Sequence, residues 1–522
     1  MSKFNKTKKN SNKTINSEDA VAYKMSDELE LYTLVCTTVL SNKFYENQVD
    51  TVKRLRNLVK KCSPKFVSKL AVYAREKMYL RSVPLVLVVE LAKIHTGDNL
   101  ISKLTQRVVQ RVDEITELLS YYQESNNRTD TKKLGKLSNQ IKKGIRNVFE
   151  SDKFTEYHFS KYNRKTDVRF RDALFLTHPR PSNKEQKKLF SDIANDTLDT
   201  ACTWETQMSE AGKQDSPATS KKAVWEEMIN SKKMGYMATL RNLRNMLQEG
   251  VSRECMQKAC DYLSNPVAVS NSKQLPFRFL SAYRMLVDSD PCRYGGSMWD
   301  KPENAVESPY LTMVLEALEE AIKLSIQNIP MFDNENVLIA TDVSGSMQHS
   351  VSGRSVISLY DIGTVLAMMM HSKCKTSVAG MFGDDWKVVN FPSTDILRNA
   401  DEIHRRNGEV GYSTNGYKVL KWACNKKNFK FDRIMMFTDC QLWNSSWSDS
   451  DTLQGLWNDY HNRVNPDAKL YLFDLNGYGN TPIEVRDNNV VLISGWSDKV
   501  FDILAAIDNG KSAIDEVMSI EI

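Results

Sequence analysis

Asp342-Val343-Ser344-Gly345-Ser346 is the stretch of this chain best suited to chemistry. It follows the apolar run VLIAT directly, so a strand would deliver it to the carboxyl edge of a sheet, where ligands sit in open α/β folds. Alternate spacing in a tight turn aims Asp342, Ser344 and Ser346 at one point. All three offer oxygen, the donor that hard cations such as Mg²⁺ select. Two more oxygen donors end later segments: Thr414 in GYSTNG, and Asp439 closing RIMMFTD. Ser413 stands as an alternative to Thr414. A lone DxSxS is often only a capped turn at a helix start. The strand before it, and Thr414 and Asp439 in chain order, favour a metal.

With so few carboxylates the cation would stay electrophilic, and an open position could accept an acidic group from a partner. The same scarcity argues against hydrolysis, since two-metal catalysis wants clustered carboxylates. No Ser-His-Asp, P-loop or HExxH pattern is present, so no enzyme is expected. The DxSxS, Thr and Asp pattern resembles the metal-ion-dependent adhesion site of von Willebrand factor A domains. That resemblance implies a divalent cation, Mg²⁺ by preference, held by Asp342, Ser344, Ser346, Thr414 and Asp439. The aromatic and polar loop Trp443–Trp447 could cover the open position.

The second signal is charge. Net charge is +6, but residues 1–330 carry 53 Lys+Arg against 40 Asp+Glu, and residues 331–522 carry 18 against 25. A basic front joined to an acidic back points to a polyanion partner for the front. Residues 131–184 concentrate the excess, with 14 basic against 5 acidic residues. Lys136 and Lys143, and Lys133, Lys142 and Arg146, form broad basic faces on one predicted helix. Phe149, Phe154, Tyr157, Phe159, Tyr162 and Phe170 are interleaved with the charges. Lysines neutralise phosphates, and aromatic and guanidinium planes stack on unpaired bases. A lysine-rich face can also be merely solvated, and most of these aromatics read as core. The size of the excess favours a polyanion surface. His178, before Pro179, reads on its own as a helix-end cap.

Two kinds of element must position these groups. From about residue 26 to 330, apolar residues recur at spacings of three and four, as in Leu55, Leu58, Val59 and Phe66, Leu70, Tyr73. Breakers at Ser63-Pro64, Ser82-Val83-Pro84 and Thr96-Gly97-Asp98 divide the pattern into short paired helices, which suits a stacked helical-repeat array. A polar loop is expected over Ser209–Lys221. After Asn334 the texture changes to short apolar runs at 337–341, 375–382, 433–439, 469–475 and 488–494, alternating with helical segments such as Tyr360–His371 and Asn415–Cys424. That alternation predicts a parallel sheet covered on both faces. The expected divisions are a flexible basic tail over 1–24, a helical domain over 25–330 and an α/β domain over 331–522. No run approaches the ~20 apolar residues that span a bilayer, and the polar N-terminus lacks a signal-peptide core. Nine cysteines without a CxxC pair read as reduced thiols, and a cytoplasmic location is expected.

Longer stretches resemble one family. KYNRKTDVRFRDALFLTHPRP (161–181), MATLRNLRNM (237–246), LPFRFLSAY (275–283) and YAREKMYLRSVPLVL (73–87), followed by DVSGSM, the Thr414-Asn415 loop, FTD and KVFDILAAID, resemble in order the Ro autoantigen, or TROVE, family. The resemblance covers about residues 25–510. It implies a ring of HEAT-like helical hairpins closed by a Rossmann-like A domain. It implies a small noncoding Y-like RNA on the outer basic face, and single-stranded ends of misfolded RNA in a central hole. A role in RNA quality control or decay follows, with a separate nuclease or another protein as partner through the A domain. Family RNA-contacting positions match Lys161, Lys165 and His178, which turns His178 toward RNA. Arg164, Arg169 and Arg171 are added on proximity and charge. One departure is the threonine loop, which reads Gly411-Tyr412-Ser413-Thr414 where the family usually shows two glycines.

Overall fold

Six strands make the central sheet of the C-terminal half: β3 (Phe332–Asp342), β4 (Cys374–Phe382), β5 (Trp386–Val389), β6 (Arg433–Thr438), β7 (Lys469–Asp474) and β9 (Val490–Ser494). Their order is β5-β4-β3-β6-β7-β9. The computed structural model describes residues 12–287 and 306–522, apart from 42, 44, 129–133, 135, 200, 202, 213–219, 330, 353–354, 356, 427–428, 444–451 and 486–488. The five predicted apolar runs are the five parallel strands. The sheet is mixed rather than parallel throughout, because β5 joins β4 antiparallel as an edge strand. Alternate residues face two cores. Val337, Ile339, Met435, Phe437, Tyr471 and Phe473 belong to one cluster. Leu338, Ala340, Ile434, Met436, Leu470 and Leu472 belong to the other, which packs with helices Tyr417–Cys424 and Leu453–Arg463. Both faces are covered, as continuous apolar strands require.

The N-terminal half is helical from Asp27–Cys36 to Leu311–Ser325 among the described residues. The predicted breakers act as caps. Ser63 accepts the amide of Phe66 at 3.2 Å, with Pro64 at the first helical position. The first core cluster runs without a break from these helices into one face of the sheet. Both ends of the array meet the α/β half. At the front, the Tyr32 hydroxyl donates to the Ser494 carbonyl at 3.3 Å. At the back, Arg284 of helix Phe277–Val287 pairs with Asp361 of helix Leu359–Ser372. The helical repeats are thereby closed into a ring by the α/β domain.

A flexible tail over 1–24 is not what residues 12–24 form. They fold into a hairpin, β1 (Lys13–Ile15) and β2 (Val21–Lys24), and β2 pairs antiparallel with β8 (Asn480–Thr481) of the C-terminal half. Residues 1–11 lie outside the described residues. So does most of the expected Ser209–Lys221 loop; its first residues belong to helix Trp204–Ala211 and its last begins helix Lys221–Asn230. Among the described residues no helix is long and apolar enough to cross a membrane. The described cysteines are unpaired and mostly buried.

Gly144 is where helix Asn139–Glu150 crosses helix Leu100–Val108 most tightly. A Cβ there would lie 2.5 Å from Thr105 Cβ and 2.9 Å from the Ser102 carbonyl oxygen. Gly144→Leu is expected to lower stability by about 1–3 kcal/mol through overpacking. Urea denaturation checks it, and an unmoved midpoint would mean the crossing is loose.

Candidate metal centre and basic face

β3 ends at Asp342, and the chain then turns sharply through Val343–Ser346. Asp342 is fully buried. Its Oδ1 accepts the Ser344 amide at 3.0 Å, and its Oδ2 accepts the Thr438 hydroxyl at 2.6 Å. The Ser344 and Ser346 hydroxyls lie 3.3 Å apart. The Gly345 amide donates to the Tyr412 carbonyl at 2.9 Å, which ties this turn to the loop carrying Thr414. Thr414 is buried, and its hydroxyl accepts the Trp443 amide at 2.6 Å. Ser413 engages Asp384 instead, its amide 2.8 Å from Oδ1. Of the loop Trp443–Trp447, only Trp443 is among the described residues.

Asp439 follows β6 and is also fully buried. Its Oδ1 accepts the Gln441 amide at 3.0 Å. Its Oδ2 is buried without a hydrogen-bond partner among the described residues. Burial pushes the Asp342 carboxyl up. Burial, and then the charge of Asp342, push Asp439 up as well. Two dry carboxyls that repel each other, one with an orphaned oxygen, have no ion-pair partner among the described residues. The donor set fits a hard divalent cation: oxygens only, two carboxylates and nearby hydroxyls. Among the described residues no cluster of three or more His, Cys, Asp and Glu occurs, so the hydroxyls would have to complete the coordination.

The basic segment spreads over three helices. Lys143 is exposed and Lys142 half-buried on helix Asn139–Glu150, and Lys136 is exposed just before it. Lys133 lies outside the described residues. Arg146 is committed elsewhere, its Nε donating at 2.8 Å to the carbonyl of Thr177. Arg169 pairs with Asp196 at 3.0 Å, and Arg171 lies over the Phe175 ring. Arg146 and Arg169 are therefore engaged within the fold, whereas Arg171 and Phe175 are both exposed. Lys161, Arg164, Lys165 and His178 are exposed. No ion pair among the described residues engages Arg164 or Lys165. The Lys161 ammonium sits over the rings of Tyr157 and Tyr162, at 5.9 and 5.6 Å. His178 has φ 49° and ends helix Phe170–Thr177 through its backbone, its amide donating to Leu174, while its side chain stays exposed. Beside Lys161 opens a cavity of about 1170 Å³, lined also by Tyr157, Trp204, Lys232, Lys233, Tyr236, Lys258 and Tyr262.

A family model described as the TROVE domain matches residues 10–215 and 196–290. A second, the Ro60 vWA domain, matches residues 336–507. The chain belongs to the TROVE family. Mouse telomerase protein component 1 is 40% identical over 81 residues, and its rat counterpart 38% over 84 residues. Each match covers 16% of this chain and only 3% of that protein. The crystal structure of the Deinococcus radiodurans RO (RSR) protein covers 92% of this chain and 99% of its own, with TM-score 0.58 and 17% identity. That likeness is one of fold.

Within this TROVE chain the five oxygen-donor positions fall at the carboxyl edge of one sheet: at the end of β3 and in the turn after it, on the Gly411–Asn415 loop, and after β6. Four of the aromatics interleaved with the basic segment are core: Phe149 stacks on Phe159 at 5.6 Å, Phe159 meets Phe170 at 5.1 Å, and Phe154 is buried. Sequence reading missed Thr438, which orients Asp342, although it stands inside the FTD motif. It also missed Lys232 and Lys233 of the cavity. Their SKKMGYM run, directly ahead of the MATLRNLRNM helix, was a usable sign.

Proposed function

We propose that this TROVE protein binds RNA without cleaving it. A small noncoding RNA lies on the outer basic face around Lys136, Lys143, Lys161, Arg164, Lys165 and His178. Single-stranded ends of misfolded RNA enter the ring, and the bound RNA passes to a separate nuclease for quality control or decay. One observation carries the reading. Exposed Lys161 lines a large cavity together with Lys232, Lys233, Lys258, Tyr157, Tyr236, Tyr262 and Trp204, and exposed Arg164 and Lys165 follow it closely in the chain. That combination suits backbone phosphates and splayed bases together. RNA affinity measured across salt concentrations tests it. The log–log slope is expected to be steep, about −0.7 to −0.9 for each phosphate neutralised. A flat slope would remove phosphate contacts from the account.

A second reading concerns the A domain and is favoured by the orphaned Asp439 Oδ2. Asp342, Ser344, Ser346, Thr414 and Asp439 would hold Mg²⁺, which supplies an electrophilic position for a partner's carboxylate. Chelation is then expected to abolish capture of such a protein partner while RNA binding persists.

A further inference from the structure

The C-terminal half is acidic overall, with 18 Lys+Arg against 25 Asp+Glu over residues 331–522, yet residues 417–432 hold five lysines against one aspartate. This segment forms helix Tyr417–Cys424 and the approach to β6, and it packs beside β5, the outermost strand of the sheet. β5 pairs with β4 along one edge. Along the other, residues 387–389 make no backbone hydrogen bond among the described residues.

An aromatic ridge joins this open edge to the lysines. The Trp386 indole lies across Gly380 of β4, where a Cβ would come within 2.6 Å of its Cη2. Trp386 meets Trp422 edge to face at 5.9 Å, and Trp422 stacks on buried Phe431 at 6.0 Å. Phe429, 38% exposed, meets Phe431 at 5.0 Å. The Lys426 ammonium sits 4.4 Å from the Trp422 ring centroid. Two neighbouring lysines are neutralised, Lys418 by Asp385 at 3.4 Å and Lys387 by Glu409. Lys426 and Lys430 are exposed and pair with no acid among the described residues.

A short edge strand carrying a lysine is a common guard against stray pairing. Here Lys387 is tied to Glu409, and the ridge adds exposed apolar surface beside the edge, the opposite of a guard. A nucleic acid base needs an uncovered ring face to stack on, and the Trp422 ring already engages Phe431 and Lys426. An extended peptide needs something else: backbone groups to bond, apolar surface for one row of side chains, and opposite charge for its polar ones. The β5 edge, the Trp386–Trp422 ridge and Lys426 supply these in turn.

We propose that the open edge of β5 is a docking site for an extended acidic segment of a protein partner. The segment adds to the sheet as a further antiparallel or parallel strand, lays apolar side chains against Trp386 and Trp422, and brings a carboxylate to Lys426. The site needs no metal, and the proposal rests on neither the RNA reading nor the metal reading.

A fluorescein-labelled peptide of about ten residues, alternating glutamate with valine, tests it against the full chain at low salt with a chelator present. Anisotropy is expected to show binding, and hydrogen exchange to show slowed amides in the segment that contains residues 386–389. Lys426→Glu, at an exposed position, is expected to weaken binding about tenfold. The same peptide with alternate amides N-methylated is expected to lose binding, because it cannot bond the strand edge. A polyuridine oligonucleotide is expected to give no protection over residues 386–389. No peptide binding at millimolar concentration, protection confined to other segments, or equal affinity for the methylated peptide would overturn the proposal. Oligonucleotide protection of this segment that Lys426→Glu removes would overturn it in favour of a nucleic acid surface.

Discussion

Arg284→Leu is expected to cost this protein about 3–5 kcal/mol of stability, the typical penalty for breaking a buried ion pair from one side. Arg284 is 8% exposed and pairs with Asp361, and its Nε lies 3.5 Å from Asp401. Asp361 is fully buried and also 3.2 Å from His404 Nδ1. Burial alone would push the Asp361 carboxyl up, but Arg284 and then His404 hold it below the usual carboxylate range. A carboxyl depressed in the folded state contributes stability above its unfolded pKa, so the contribution is fully present at pH 7 and is lost only in acid. Leucine would fill the space and leave Asp361 charged and dry. The pair also closes the ring at its rear, so the loss falls on the contact between the helical array and the A domain. Urea denaturation at pH 7 measures the effect, and a change below about 1 kcal/mol would contradict it. Adding Asp361→Leu is expected to restore part of the loss, since apolar replacements of both partners are often tolerated.

The largest functional effect is expected from replacing Lys161, Lys165 and His178 together with alanine. All three side chains are exposed, so folding should survive. Each lysine that meets a phosphate contributes about one unit of salt slope. The variant is therefore expected to bind RNA about a hundredfold more weakly at low salt, a loss of about 3 kcal/mol, with a slope shallower by about two. Lys426→Ala on the A domain, whose ammonium sits 4.4 Å from the Trp422 ring centroid, removes a cation far along the chain from this face. It is expected to leave RNA affinity unchanged. Filter binding over a salt series reads both variants. Wild-type affinity in the triple variant would remove these residues from the interface.

Much of this architecture was legible in the sequence because the signals are local. Continuous apolar runs ending in Asp342 and Asp439 announce buried strands and place both carboxylates at one sheet edge. Periodicity with Ser-Pro breakers announces short helices. What escaped depends on partners distant in the chain. Lys13–Ile15 and Val21–Lys24 are too short to show alternation, and β2 completes its pairing with Asn480–Thr481, more than four hundred residues on. A polar, basic segment without periodicity then reads as a tail. β5 has only four residues and pairs at an edge, so its apolar pattern is weak. Charge counting marked residues 131–184 as basic but could not tell a free cation from a committed one. Arg146 caps a neighbouring helix and Arg169 faces Asp196, and neither contact leaves a trace in composition. Nothing local in the sequence marks Arg284, because its partners Asp361 and Asp401 lie in the C-terminal half.

The most direct measurement is ultraviolet crosslinking of the purified protein to the RNA that copurifies with it, with the crosslinked residues mapped by mass spectrometry. Crosslinks should concentrate between Tyr157 and His178 and on the cavity wall around Trp204, Lys233 and Tyr262. Crosslinks confined to the acidic half, residues 331–522, would contradict an RNA-binding helical ring.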